Sequence, residues 1–240
     1  MSDSFSLHRA VVPLVRTPES DDAPIEFLGT AFYVDDQRTA MTAKHVVDGW
    51  SPGEVSVLQQ LGNGTTIGVP VTRIWESGVH DIAVLDLAPF DQACPLELAQ
   101  GPYPMNVHVA TLEYSRSHPL QGAAARRLLK VVGSFRRGNI VRTYRAPWPG
   151  GGAEVETLEL SYPALQGASG AAVFEERSTQ VVGMVLGNVE STAQPALTLR
   201  ASLSGTDYEE RTYHLPFGLA ISWLHLRIAL EAARQAGVNA

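Results

Sequence analysis

The sequence holds a single cysteine, Cys94, which excludes an internal disulfide framework and any cysteine-based zinc site. His8, His108, His118, His214 and His225 show no metal-ligand spacing, so neither a metal nor an organic cofactor is expected. Long apolar runs are missing too: none approaches the roughly 18 residues that a membrane helix needs. The opening residues, MSDSFSLHRAVV, carry no charged-then-apolar leader and no cleavage site. Together these absences point to a cytoplasmic protein with no membrane role. Charged residues are few, at 18%, yet the hydrophobic share of 45% is ordinary, which excludes wholesale disorder. A net charge of −7 argues against general affinity for nucleic acid.

What the chain does have is turns. Its 21 glycines and 15 prolines favour a turn-rich β fold over a helix bundle. Short β-prone runs cover 7–15, 26–34, 38–43, 54–61, 66–75 and 82–87. The stretch 89–104, with four prolines and Gly101, reads as a connector between two lobes. Beyond it, the runs 106–112, 128–135, 139–144, 155–160, 171–174, 181–186 and 217–221 continue the style, around a glycine-rich loop at 148–152. Only the end reads as a helix. Ser222 suits its N-cap, 223–236 is rich in leucine and alanine, and Gly237 suits a left-handed closing residue. Leu224, Ile228 and Leu230 would pack it against the second half of the chain. The pattern is that of an all-β, barrel-type domain over 1–240.

Three short motifs follow one another. Gly29-Thr30-Ala31-Phe32-Tyr33-Val34 leads through a turn to Thr42-Ala43-Lys44-His45-Val46-Val47, which places His45 at a strand end behind small residues. His80-Asp81-Ile82-Ala83-Val84-Leu85 sends an aspartate into an apolar strand, where a buried carboxylate needs a donor such as an imidazole N–H. Gln166-Gly167-Ala168-Ser169-Gly170-Ala171-Ala172-Val173 puts Ser169 in a tight turn, where its hydroxyl can project and backbone N–H groups can converge. Alone, each has a bland reading: a structural histidine, a strand-edge carboxylate, an ordinary turn. In the order His, Asp, Ser they match one known arrangement of the serine triad.

On these motifs the sequence resembles the chymotrypsin/trypsin-like serine peptidases, and within them the compact, disulfide-free bacterial branch with HtrA-like protease domains. The Val181-Val182-Gly183-Met184 run and the closing Phe217-Gly218-Leu219-Ala220-Ile221 strand with its helix are similar as well, so the resemblance spans about 6–236. It implies two six-stranded antiparallel β-barrels, at about 6–100 and 104–221, with a C-terminal helix at about 222–236 and the site between the barrels. It also implies a serine endopeptidase acting on protein or peptide substrates through an acyl-enzyme. Ser169 would be the nucleophile, His45 the base, Asp81 its orienting partner, and the N–H groups of Gly167 and Ser169 the oxyanion hole. Ala168 stands where the digestive enzymes carry the aspartate of their zymogen switch, so control would fall to loop order, a regulatory partner or a segment outside this sequence. Ala171 replaces a second glycine of the motif. The resemblance also places the first specificity pocket between the segment before Ser169 and the strand around Val185. Pro163 holds the position where an acid would select Lys or Arg, and Tyr162, Val185 and Leu186 would make an apolar wall for small or apolar side chains.

Other features carry less. The stretch 116–145 holds Arg116, Arg126, Arg127, Lys130, Arg136, Arg137, Arg142 and Arg145 and no acid, which leaves −15 for the rest of the chain. Its bland reading is a set of solvated strand faces; its functional reading is a docking face for a regulatory protein partner. Only Phe135 and Tyr144 interleave, which disfavours base stacking and hence nucleic acid. Cys94 reads as a small apolar residue of the connector rather than a nucleophile. An α/β-hydrolase is the rival enzyme, because Ser169, Asp207 and His214 also occur in that fold's order. Ala171 in place of the elbow glycine and the lack of alternating helices count against it. A catalytically latent, protease-like scaffold that binds a peptide or protein partner is the non-enzymatic alternative.

Overall fold

Runs of β-branched and aromatic residues, cut at short intervals by turn residues, build sixteen strands and three helices among the described residues. The computed structural model describes residues 7–17, 25–61, 65–90, 93–115, 118–119, 129–147, 154–178, 180–192, 196–202, 205–211 and 214–238. The first half comprises α1 (Leu7–Ala10), β1 (Val11–Arg16), β2 (Glu26–Tyr33), β3 (Thr39–Thr42), α2 (Lys44–Val47), β4 (Val55–Gln60), β5 (Thr66–Glu76) and β6 (Ala83–Leu87). The second half opens with β7 (His108–Glu113), β8 (His118–Pro119), β9 (Leu129–Lys130), β10 (Ser134–Pro147), β11 (Glu154–Leu160) and β12 (Ala172–Glu175). It closes with β13 (Val181–Thr192), β14 (Ala196–Ser202), β15 (Gly205–Arg211), β16 (His214–Ser222) and α3 (Trp223–Val238).

Six strands close one barrel in the order β1-β2-β3-β6-β5-β4, and six close a second in the order β10-β11-β16-β13-β12-β7. Closure leaves neither sheet an open edge. This is the all-β, two-barrel, chymotrypsin-like architecture, and an α/β-hydrolase is excluded by it: Asp207 lies in β15 and His214 in β16, on strands of an all-β fold. One core cluster joins Phe32, Met41 and Leu85 of the first barrel to Leu112, Phe174 and Met184 of the second, so it runs through the seam between them. The second barrel keeps a smaller interior of its own around Ile140, Leu160 and Val173.

Several local expectations change. Residues 7–10 form a helical turn before β1, and the hairpin β14–β15 adds a pair of strands outside both barrels. Helix α3 continues through Gly237, which has no left-handed backbone; a Cβ there would come within 2.6 Å of the Arg73 guanidinium on the first barrel. Ser222 does accept the Leu224 N–H at 3.3 Å, and its own hydroxyl donates to Glu156 at 2.6 Å. The buried face of α3 is Leu226, Ala229, Leu230 and Ala233, an i, i+3, i+4, i+7 stripe. Leu224 is only half-buried and Ile228 is 49% exposed, because that stripe turns both away from the seam.

The basic stretch is met by local acids. Arg136 pairs with the buried Glu113 at 2.6 Å, Arg137 with Glu176 at 2.9 Å and Arg142 with Glu159 at 3.2 Å. Arg116, Arg126 and Arg127 lie outside the described residues.

Candidate active site

Strand β3 runs into the single turn of α2, which carries His45. The next residue, Val46, beds on Gly29: a Cβ at Gly29 would lie 2.7 Å from Val46 Cγ1 and 3.2 Å from the Ser169 carbonyl. Glycine at this strand position therefore lets the histidine turn and the serine turn both come close to one backbone. Asp81 sits in the bend between β5 and β6. The Ser77 hydroxyl accepts the N–H groups of Val79 (3.3 Å) and His80 (3.1 Å), and the Ser77 N–H donates to the Ile82 carbonyl at 2.9 Å.

The two side chains meet. His45 Nδ1 lies 2.7 Å from Asp81 Oδ2, and the His45 backbone N–H donates to Asp81 Oδ1 at 2.9 Å. A carboxylate can only accept, so Nδ1 carries the proton and Nε2 is left with its lone pair. The Asp81 side chain is 12% exposed and the imidazole 47%. The Asp81 hydrogen bond lifts the His45 pKa above its ordinary 6.5 against the opposing effect of partial burial, and the Asp81 charge adds to the rise.

Ser169 lies in a turn that needs glycine on both sides, with φ of +90° at Gly167 and +85° at Gly170. The turn is docked on the first barrel. The Thr30 N–H donates to the Ser169 carbonyl (3.0 Å), Thr30 Oγ1 donates to the Gly167 carbonyl (2.9 Å), and Thr42 Oγ1 donates to the Thr30 carbonyl (2.8 Å). A Cβ at Gly170 would fall 2.1 Å from that same Thr30 oxygen. On the opposite side, the Gly170 N–H donates to the Val185 carbonyl at 2.8 Å. The Ser169 hydroxyl donates to the Leu186 carbonyl at 3.3 Å and not to His45. The N–H groups of Gly167 and Ser169 engage no acceptor among the described residues.

Of the expected pocket residues, Tyr162 and Val185 are buried in the cluster inside the second barrel and Leu186 in the cluster that runs through the seam. The Tyr162 hydroxyl is 2.7 Å from Thr111 Oγ1, and burial pushes its pKa up. Pro163 is half-buried. The sequence pattern missed three polar residues here: Thr30, Thr42 and Asn188, whose carboxamide bonds both backbone groups of Ala164 at 2.7 Å each. Thr30 and Thr42 stand within the quoted motifs, but nothing local marks them as anchors.

Among the described residues no group of three or more His, Cys, Asp or Glu is arranged to hold a metal ion. No helix of the described residues is long and apolar enough to cross a membrane. His80, beside Asp81, packs against His225 with ring centroids 4.5 Å apart and ring planes tilted by 49°, and burial holds both below their ordinary pKa.

Comparison with known proteins agrees with this architecture. In its inactive form, the Rv3671c protease of M. tuberculosis is similar with a TM-score of 0.60 at 18% identity, over 94% of this chain and 89% of that one. The HtrA-type protease AlgW with a decapeptide is similar at 0.60 and 17% identity, over 95% of this chain and 64% of that one. At such identities the shared property is the fold. No curated protein sequence matches the chain. The trypsin-like peptidase domain model matches residues 29–184, a span that takes in His45, Asp81 and Ser169. The chain belongs to the trypsin-like peptidase domain family.

Proposed function

We propose that this trypsin-like peptidase is a serine endopeptidase in which Ser169 attacks the peptide carbonyl, His45 moves the proton and Asp81 holds the imidazole. The observation that carries the reading is the pair of hydrogen bonds from His45 to Asp81, one through Nδ1 and one through its backbone N–H, beside the docked turn of Ser169. A serine hydroxyl needs an adjacent base at neutral pH. The Ser169 side chain rotates from the Leu186 carbonyl to His45 Nε2, which takes its proton as Oγ bonds the carbonyl carbon. The imidazolium is stabilised by Asp81. The developing oxyanion is met by the N–H groups of Gly167 and Ser169, each such donor being worth about 10²–10³ in turnover. The C–N bond then breaks, the amine leaves with the proton from His45, and water hydrolyses the acyl-enzyme by the same steps in reverse.

The resting hydroxyl on Leu186 supports regulation: a partner that turns Ser169 towards His45 would switch the enzyme on. Peptides and proteins are the substrates in this reading, a regulatory protein is the partner, and the cytoplasm is the setting. The same resting bond favours a second reading, a latent scaffold that binds peptide without cutting it. Fluorophosphonate labelling with intact and peptide mass spectrometry tests the first. One adduct on Ser169, lost in both Ser169→Ala and His45→Ala, is expected; an adduct on another serine overturns the assignment.

A further inference from the structure

Strand β13 and the serine turn run side by side at one end and part at the other. The Gly170 N–H donates to the Val185 carbonyl (2.8 Å), the Val185 N–H to the Ala171 carbonyl (2.9 Å), and the Ser169 hydroxyl to the Leu186 carbonyl (3.3 Å). The register of β13 against β16 shifts between Val185 and Gly187, so Leu186 is the extra residue of a bulge. Past that bulge, among the described residues, no backbone bond links β13 to the segment before Ser169; a side chain does instead. Asn188 Oδ1 accepts the Ala164 N–H at 2.7 Å, and Asn188 Nδ2 donates to the Ala164 carbonyl at 2.7 Å. The carboxamide thus takes the place of a peptide unit. Opposite it in register is Gly218, whose N–H donates to the Tyr162 carbonyl at 2.7 Å.

These contacts place Ser169 and Leu186 at one end of a stretch of β13 and the Asn188–Ala164 bridge at the other. Between them in the chain lies Gly187, with nothing within 4 Å of where its Cβ would be. Two residues of strand separate Leu186 from Asn188, about 7 Å before van der Waals radii are subtracted. A methyl or hydroxymethyl group fits in that length, whereas a branched or aromatic side chain has to push the carboxamide aside. Doing so would strip both backbone groups of Ala164, which is 8% exposed, of their partners.

We propose that Asn188 is a bar across the substrate slot beside Ser169, restricting the residue before the scissile bond to glycine, alanine or serine. The inference rests on Ser169 being the nucleophile. It replaces the apolar wall of Tyr162, Val185 and Leu186 with a polar crosspiece, so size rather than apolarity is selected.

Diphenyl aminoalkylphosphonates with the side chains of Gly, Ala, Leu and Phe test this without needing turnover. Ser169 Oγ bonds phosphorus, phenoxide leaves, and the hydroxyl proton passes through His45 to give phenol. Rates of adduct formation are read by intact mass on wild type and Asn188→Ala, beside a fluorophosphonate that has no amino-acid side chain. Wild type is expected to react with the Gly and Ala reagents at least about tenfold faster than with Leu and Phe, the factor that two lost hydrogen bonds represent. Asn188→Ala is expected to remove most of that difference, each rate being taken relative to the fluorophosphonate rate of the same protein. Equal wild-type rates across the series overturn the bar, and this arm needs no variant. A uniform fall in Asn188→Ala, fluorophosphonate included, makes Asn188 a support of the turn and overturns it too. Labelling of Ser169 by the fluorophosphonate but by none of the series overturns the slot alone. Failure of the fluorophosphonate to label Ser169 at all overturns the nucleophile, and the bar falls with it.

Discussion

Replacing Thr30 by valine keeps the shape of the side chain and removes one oxygen. That oxygen donates to the Gly167 carbonyl at 2.9 Å and accepts the Tyr114 N–H at 3.3 Å, in a residue with no exposed surface. Both partners lose their bond at once. A buried group left unpaired costs about 1–3 kcal/mol, and the Gly167 carbonyl is only part-buried, so the sum is about 2–3 kcal/mol. In a chain of this size that lowers Tm by about 5–10 °C. The effect on the site is separate. Thr30 Oγ1 holds the peptide that follows Gly167, and a tilt of that turn misaims the Gly167 and Ser169 N–H groups at the developing oxyanion. Loss of one such donor lowers reaction at serine by about 10²–10³, and a misaimed pair approaches that range. Thermal melting and fluorophosphonate labelling rates, taken at a temperature where the variant is folded, separate the two terms. A variant with wild-type Tm and labelling within twofold of wild type would refute Thr30 as the anchor.

Asp81→Asn removes the group that fixes the His45 tautomer, and kcat is expected to fall by about 10⁴ in a peptide-cleavage assay. The wild-type rate should fall as pH drops through a His45 pKa above 6.5, because an imidazolium cannot accept the serine proton. The stability contributed by the His45–Asp81 pair runs the other way. A pKa raised by folding stabilises fully below the unfolded value and loses that contribution as pH rises through the folded one, which melts across pH 5–8 would register as a loss towards the alkaline side. Gly170→Ala meets both a left-handed backbone and a Cβ 2.1 Å from the Thr30 oxygen, so urea unfolding should show a loss of about 3–5 kcal/mol or no folded protein. Leu226→Ala empties a fully buried position where α3 meets the seam, and the same measurement should give about 2–5 kcal/mol.

The three motif segments were legible because their signals are local. A strand ending in small residues before His45, an acid entering an apolar strand, and a serine between glycines can each be read within eight residues. The barrel class was legible from turn spacing and β-branched runs. The helix face was misjudged, since which stripe of α3 is buried depends on where the seam lies: Leu226 meets it and Ile228 does not. The hairpin β14–β15 carries no barrel register, and its segments drew no strand expectation. The burial of Tyr162, Val185 and Leu186 follows from how the strands close into barrels, which no local pattern shows.

The sequence by itself determined the fold class and brought His45, Asp81 and Ser169 to notice in their order. The tertiary structure decided what braces them. The Thr30 bond to Gly167 joins residues 137 positions apart, His45 and Asp81 are 36 apart, and Asn188 reaches Ala164 across 24. A hydroxyl or carboxamide is equally at home on a solvated face. Only closing each barrel, and for Thr30 docking one on the other, leaves one partner within hydrogen-bond reach, and that choice of partner is not written in any local pattern.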